Sequence, residues 1–336
     1  MPELTAAAGV TRGLMDFAIT HGADRDDLIR LSGMDPRLLV DPDAHVPFEN
    51  YVALMKTAQR LCRDPALALH YAEKVDMSEV SIVGLLTHSC ETMLDAFRQI
   101  SRYNRLVYDG PSYAERWQIL PAGDGGLWLQ DNRDNPNAFP EATESAFGWM
   151  VCGPRLFDQT PFCRAVHVTH PKPPHSGEYT RIFRAPVFFG SDRNALLIDA
   201  TWPSHRLAER KTYAFGVLNR HAEALLKTRE SSATTRGRVE ALLMSTLHSG
   251  EIAMESIAGK LGVTRQTLFR KLKAEGVTFE KLRDDLRRQM AEHYLNGKKV
   301  SVNETAYLVG FSEPAAFSRA FKRWTGKSPR SFREAT

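Results

Sequence analysis

Only four cysteines occur in the 336 residues, Cys62, Cys90, Cys152 and Cys163, and none forms a CxxC pair. That scarcity and scatter exclude a disulfide framework or a zinc knuckle and fit reduced thiols in a reducing compartment. Long hydrophobic runs are missing too: nothing approaches the roughly 18 apolar residues of a membrane span. The opening MPELTAAAGVTRGLMDF lacks a basic stretch followed by an apolar core. No secretory signal is therefore expected, and the expected location is the cytoplasm. A glycine-rich phosphate loop is also lacking, because Gly123-Asp124-Gly125-Gly126 lies between strand-like runs and reads as a hairpin turn. What remains is ordinary globular composition, 43% hydrophobic and 25% charged, which argues against disorder or a fibrous repeat.

The length, about twice that of a usual domain, predicts two domains. The formal net charge of +4 conceals a division. Residues 1–226 carry 23 Lys+Arg against 28 Asp+Glu, whereas residues 227–336 carry 21 against 12. An acidic body joined to a basic last third is the footprint of a module that binds a polyanion, attached to something else.

The polar, Ser/Thr-rich segment Lys227–Arg238 reads as a linker between a domain over 1–226 and another over 239–336. The first opens with helical patterns near Thr11–His21, Asp26–Leu31, Phe48–Arg63, Pro65–Lys74, Ser81–Leu86 and Thr92–Arg105. Short aromatic and β-branched runs follow at Leu106–Tyr108, Tyr113–Leu120 and Leu127–Asp131. A helix near Phe139–Cys152 then precedes strand-like pieces at Ala165–Thr169, Pro186–Gly190 and Ala195–Asp199. The expected fold is α+β, helices first and an antiparallel sheet later. A last helical pattern, Ser204–Leu226, serves either to pack on its own domain or to contact a second subunit. Tyr103, Trp117, Trp128, Phe147 and Trp149 are candidates for an apolar pocket, and equally for ordinary core.

An internal repeat marks the basic third. Glu255–Leu261, the turn Gly262-Val263 and Thr264–Ala274 form one helix-turn-helix pattern, spanning about 255–275. Forty-eight residues on, Ala258 is answered by Ala306 and Gly262 by Gly310. After one extra residue in the second turn, Leu268 matches Phe317 and Leu272 matches Phe321, giving a second unit over about 303–326. Small residues at 258 and 306 let the paired helices cross closely. Glycines at 262 and 310 reach the positive φ a tight turn needs. Between the units, 279–296 forms a helix about 27 Å long at 1.5 Å per residue. A strut of that length holds two recognition helices near the ~34 Å spacing of successive major grooves. The expected fold class is thus multidomain, an α+β sensor followed by an all-α domain with two helix-turn-helix units.

The run SVNETAYLVGFSEPAAFSRAFKRWTGKSPRSFR (Ser301–Arg333) resembles the signature of AraC/XylS-type transcriptional regulators. SIAGKLGVTRQTLFRKLKAEGVTF (Ser256–Phe279) resembles the first helix-turn-helix of the same domain. Thr305 departs from the Ile of many relatives and adds a hydroxyl that needs a partner. DPDAHVPFENYVALM and RIFRAPVFFGSDRNALLID are similar to the arabinose-binding-like N-terminal domain of ornithine-responsive and virulence-type members. The resemblance implies a homodimeric, small-molecule-controlled regulator that binds double-stranded promoter DNA. It implies activation, through RNA polymerase, more often than repression.

On the second helix of each unit, Arg265, Gln266 and Arg270, then Ala315, Ala316, Ser318 and Arg319, are the base-reading candidates. Lys271, Lys273, Lys322, Arg323 and Lys327 are candidates for phosphates, or else part of a solvated face. Trp324 and Phe332 read as core. His167, His170 and His175 are interrupted by Pro171, Pro173 and Pro174 and share no helical face, so they read as structural rather than metal-ligating. No nucleophile motif surrounds any cysteine, and Cys163 lies on an expected buried strand. Neither an active site, a metal nor a cofactor is expected. Two rival readings are an effector-independent regulator whose first domain is only a dimerisation or partner scaffold, and an enzyme fused to a DNA-binding domain.

Overall fold

A computed structural model describes residues 4–110, 113, 115–123, 125–157, 159–207, 212–247, 253–297 and 300–335. The chain divides into two compact units, 1–226 and 227–336. No helix among the described residues is long and apolar enough to cross a membrane.

In the first unit β1 (Thr5–Ala7) leads into α1 (Ala8–Thr20) and α2 (Arg25–Ser32), then β2 (His45–Pro47) and α3 (Phe48–Leu61). Four further helices follow: α4 (Leu67–Lys74), α5 (Met77–Val80), α6 (Ile82–Thr87) and α7 (Met93–Tyr103). Capping side chains start several of them. Asp24 accepts from Asp27 N at α2, and Thr92 accepts from Asp95 N at α7. The sheet region holds β3 (Tyr108–Asp109), β4 (Trp117–Pro121), β5 (Leu127–Asp131), α8 (Glu141–Cys152), β6 (Cys163–His167), α9 (Ser176–Phe183), β7 (Val187–Phe188) and β8 (Asn194–Ile198).

Two sheets result. The larger runs β4-β5-β8-β6-β7, and the smaller runs β2-β1-β3. The β4–β5 turn closes with Ala122 N–H donating to Gly126 O at 2.9 Å; Asp124 within it lies outside the described residues. Helix α8 packs on α4, and a Cβ on Gly148 would come within 2.5 Å of Ala72 Cβ, so glycine is what permits that crossing. Two apolar clusters form. One is built from α1, α3 and the small sheet around Leu14, Leu54 and Tyr51; the other lies under the large sheet around Leu196, Phe147 and Ile182.

The expected α+β fold holds, with helices α1–α7 ahead of the large sheet, and the structure adds details: β1 and β2 of the small sheet interleave with the early helices. The large sheet is not wholly antiparallel, since β6 and β7 run parallel across Val166–Val187. The last helix of this unit, α10, spans Thr212–Ala233 rather than 204–226. Residues Trp202–Ser204 form a 3₁₀ turn, and 208–211 lie outside the described residues. Along α10, Phe215, Leu218, Ala222 and Leu225 face the first cluster, while Tyr103 Oη donates to Asn219 Oδ1 (2.9 Å) and Glu223 Oε1 (2.6 Å). This helix therefore packs on its own unit.

The expected linker at 227–238 is helical. It is shared between the end of α10 and the start of α11 (Thr235–Thr246), which are parted at Thr234. The Thr234 side chain accepts from Gly237 N, and Glu275 accepts from Thr235 N (2.9 Å) and Arg236 N (2.8 Å). These three bonds satisfy backbone donors that open any helix. After α11 come α12 (Met254–Lys260), α13 (Arg265–Ala274), α14 (Phe279–Gly297), α15 (Val302–Leu308), α16 (Pro314–Thr325) and α17 (Pro329–Ala335). One core joins them, from Val239 and Leu243 through Leu268, Leu272, Leu282 and Leu286 to Phe317 and Phe321.

Candidate nucleic-acid interface and ligand cavity

Helices α12–α13 and α15–α16 are two helix-turn-helix units whose turns repeat bond for bond. Val263 N–H donates to Ala258 O at 3.0 Å, and Phe311 N–H donates to Ala306 O at 2.9 Å. Gly262 N–H donates to Gly259 O, and Gly310 N–H to Tyr307 O, both at 3.0 Å. The two glycines have φ of +67° and +80°, in the left-handed region. Ala258 and Ala306 are buried at the crossings, as are Leu268, Leu272, Phe317 and Phe321. The buried Thr305 hydroxyl donates to Ser301 O at 2.8 Å, which supplies the partner its position demands.

With those side chains turned inward, Arg265, Gln266 and Arg270 of α13 are exposed, as are Ala315 and Arg319 of α16; Ala316 and Ser318 are half-buried. Lys271, Lys273, Lys322, Arg323 and Lys327 are all exposed. Two candidates are engaged within the unit. Arg265 Nε lies 2.8 Å from Glu255 Oε1 across the first turn. Arg323 Nη2 lies 3.2 Å from Asp284 Oδ2 on α14, beside Trp324 Nε1 at 3.4 Å from the same oxygen. Both are largely solvent-exposed pairs of small stabilising value.

Two features escaped the sequence reading. Phe269 is 56% exposed and shares the helical stripe of Gln266, Arg270 and Lys273. Arg287 of α14 donates to Gly310 O at 2.9 Å, with its guanidinium 4.5 Å from the centre of the Phe311 ring. Arg287 thereby fastens the connecting helix to the second turn, and burial lowers its pKa. A basic residue amid the basic stretch of α14 gave no sign of that role.

The first unit holds a cavity of about 190 Å³ between its two apolar clusters. Ile100 packs against both clusters and lines the cavity. Of the five aromatic candidates, Trp117 and Trp149 line it. Phe147 and Tyr103 are core, and Trp128 stands beside His167 and Arg193 instead. Trp202, Phe97 and Met93 also line it, and no local pattern announced them. Of the charged residues at the wall, Arg116 meets Asp131 (2.9 Å) and Glu73 meets Arg181 (2.8 Å), Asp76 lies 3.5 Å from His88, and Lys74 is exposed.

Two of the three histidines flank Tyr179 and the third lies apart. His167 stacks on Phe188, His170 lies 3.2 Å from Tyr179 Oη, and His175 stacks on the Tyr179 ring. Among the described residues no three His, Cys, Asp or Glu side chains are grouped to hold a metal ion. Burial pushes the Cys163 thiol up to about 12 and raises those of Cys152 and Cys62, which suppresses the thiolate a nucleophile needs.

Two families match the chain. The family described as the N-terminal arabinose-binding domain of AraC transcription regulator matches residues 22–207, and a helix-turn-helix domain family matches 257–335. The ornithine utilization regulator of Pseudomonas aeruginosa is 26% identical over 96% of this chain and 94% of its own length. The HTH-type transcriptional regulator VirS of Mycobacterium tuberculosis is 25% identical, with the same coverage of both chains. Among solved structures, the transcriptional regulator CdpR from Pseudomonas aeruginosa covers 92% of this chain and 96% of its own at 20% identity, with a TM-score of 0.43.

Proposed function

The chain belongs to the AraC family of DNA-binding transcriptional regulators, and we propose that its first unit is a small-molecule sensor that controls how its second unit engages promoter DNA. The observation carrying the DNA half is the bond-for-bond repeat of the two turns, each presenting a second helix with polar and basic residues outward. Helices α13 and α16 enter successive major grooves of one duplex face. Arg265, Gln266 and Arg270 read base edges, with Phe269 placed to touch a thymine methyl. Ala315, Ala316, Ser318 and Arg319 occupy the matching surface of α16 and read less, because two alanines offer no hydrogen bond. Lys271, Lys273, Lys322, Arg323 and Lys327 meet phosphates.

The cavity favours a sensor over an effector-independent scaffold, since a packed scaffold domain keeps few voids larger than a water molecule. The buried thiols weigh against a cysteine-dependent enzyme. The regulator acts in the cytoplasm as a homodimer and activates transcription by contact with RNA polymerase. Exposed Tyr213 and Val217 on α10 offer apolar surface for a second copy. Effector binding shifts the population between arrangements that present the basic units differently to neighbouring half-sites.

Selection of duplexes from a random pool by the full chain tests the DNA half. The expected product is a site with two conserved segments about 10 base pairs apart. Bound duplexes without any enriched sequence would overturn it. A melting-temperature screen of the full chain against amino acids, lipids, sugars and nucleotides tests the sensor half. A ligand at a hundredfold its Kd adds about 2.7 kcal/mol. Silence across that panel from well-folded protein would favour the scaffold.

A further inference from the structure

The cavity wall narrows the effector's chemistry, an inference that rests on the sensor reading. Several polar side chains line it, and the protein itself already engages them. Thr87 Oγ1 donates to Gly84 O at 2.7 Å, and Tyr108 Oη donates to Tyr51 Oη at 3.2 Å. Asn104 uses both ends of its amide, donating to Tyr113 O (2.6 Å) and accepting from Trp117 Nε1 (3.2 Å). Arg116 is held by Asp131 and Glu73 by Arg181. Asp76 and His88 lie 3.5 Å apart and are partly solvated, and Lys74 is exposed, where water solvates its charge. The indole nitrogens of Trp149 and Trp202 are covered by protein atoms, so neither presents a donor to the space. The rest of the wall is hydrocarbon and ring surface, from side chains such as Val83, Phe97, Ile100 and Ala146.

Such a wall discriminates by what it fails to offer. A ligand hydroxyl buried there gives up its water without finding a partner, a loss of roughly tenfold or more in affinity for each one, and an ionic group loses more. Water is held poorly in the same space for the same reason, so hydrocarbon that displaces it gains. Size sets the second limit. The cavity's volume of about 190 Å³ is somewhat above the ~150 Å³ of an apolar void that takes up benzene.

We propose that this cavity binds an uncharged, hydrocarbon-like effector about the size of one alkyl-substituted ring, selected by shape and by exclusion of water rather than by hydrogen bonds or charge. The ligand sits between the two apolar clusters, where Ile100 packs against both. Despite the family's description, a pentose is not what this wall suits, because its hydroxyls would go unmatched.

Tryptophan fluorescence of the full chain reports occupancy, since Trp117, Trp149 and Trp202 all line the cavity. Three probes of nearly one shape differ in a single group: ethylbenzene, benzyl alcohol and benzylammonium. L-Arabinose and L-ornithine complete the set. Ethylbenzene is expected to give a saturable change at one site and to raise the melting temperature. Benzyl alcohol should bind about tenfold or more weakly, and the other three should give no saturable change. Ala146→Leu should abolish ethylbenzene binding by filling the space, and Ala96→Leu, which fills it from α7, takes its place where the first variant does not melt cooperatively. Benzyl alcohol, benzylammonium, arabinose or ornithine bound as tightly as ethylbenzene, and lost on Ala146→Leu, would overturn the ligand class and leave the sensor reading standing. Silence from ethylbenzene overturns the class alone, because the broad screen judges the sensor separately. Ethylbenzene bound equally well by the unaltered chain and by both filled variants would overturn the cavity as its site.

Discussion

Arg116 and Asp131 meet inside the first unit through two parallel hydrogen bonds, Nε to Oδ1 and Nη2 to Oδ2, each 2.9 Å long. Neither side chain is more than 1% exposed. Burial opposes both charges, yet each stabilises the other: Asp131 is held below the usual carboxylate range by Arg116 and Arg133, and Arg116 is held above its usual value. The guanidinium also lies 4.4 Å from the centre of the Trp117 ring, on the cavity wall.

Removing one partner strands the other. Asp131→Ala leaves Arg116 charged, buried and unpaired, and should destabilise the first unit by about 3–5 kcal/mol. The measurement is the urea midpoint of the full chain followed by tryptophan fluorescence. Because the folded pKa of Asp131 is depressed, its contribution is complete above about pH 4 and is lost as pH falls through the folded value. A variant within 1 kcal/mol of the unaltered chain would show the pair to be dispensable.

Glu144 behaves in the opposite sense. It is buried on α8, Tyr179 Oη donates to its Oε1, and its Oε2 has no partner. Burial raises its pKa to about 7, with neighbouring Glu141 adding to the rise. A raised acid binds its proton more tightly folded than unfolded. Stability should therefore be greatest below about pH 4 in this group alone, and decline as pH rises towards 7, by roughly 3 kcal/mol in total. Melting temperatures of the unaltered chain and Glu144→Gln, compared between pH 5 and pH 8, should diverge as pH rises, with the variant flatter. Parallel curves would assign the pH dependence to other groups.

How far the sequence carried depended on whether the decisive contact was local. The two helix-turn-helix units were legible because Gly262, Gly310 and the buried stripes all lie within one short motif. The strands β1 and β2 were not, because three residues such as Thr5-Ala6-Ala7 show no alternation, and only pairing with distant Val46 and Tyr108 makes them strands. The polar run at 227–238 looked like a linker because nothing nearby reveals that Glu275, about 40 residues away, caps α11. The cavity was half legible: Trp117 and Trp149 stood out as aromatics, whereas Trp202 joins them only through the fold.

Gly262 isolates the conformational term in the first turn. Its φ is +67°, and a Cβ built there meets no heavy atom within 4 Å, so alanine costs backbone strain without a clash. Gly262→Ala should lower the stability of the second unit by about 1–2 kcal/mol, and Gly262→Asn by less, because asparagine tolerates the left-handed region. Thermal melts of the two variants check the order. Equal losses from both would mean that something other than φ limits this turn.

The assigned DNA contacts separate by how they fail. Arg270 is exposed on α13, and the proposed function assigns it a bidentate contact to guanine that reads one base pair. Arg270→Ala should cost about 1–3 kcal/mol on the selected site and relax preference at one position, while binding to unrelated duplex changes less. Lys322 is exposed on α16, where the proposed function assigns it to a phosphate. Lys322→Ala should weaken selected and unrelated duplexes alike, and reduce the slope of log K against log salt by about 1. Arg323 falls between these cases, because Asp284 at 3.2 Å already neutralises part of its charge. Arg323→Ala should change the salt slope less than Lys322→Ala does. Salt titrations of the three variants on selected and random duplexes distinguish a reader from a phosphate contact, and loss of specificity on removing Lys322 would reverse the assignment.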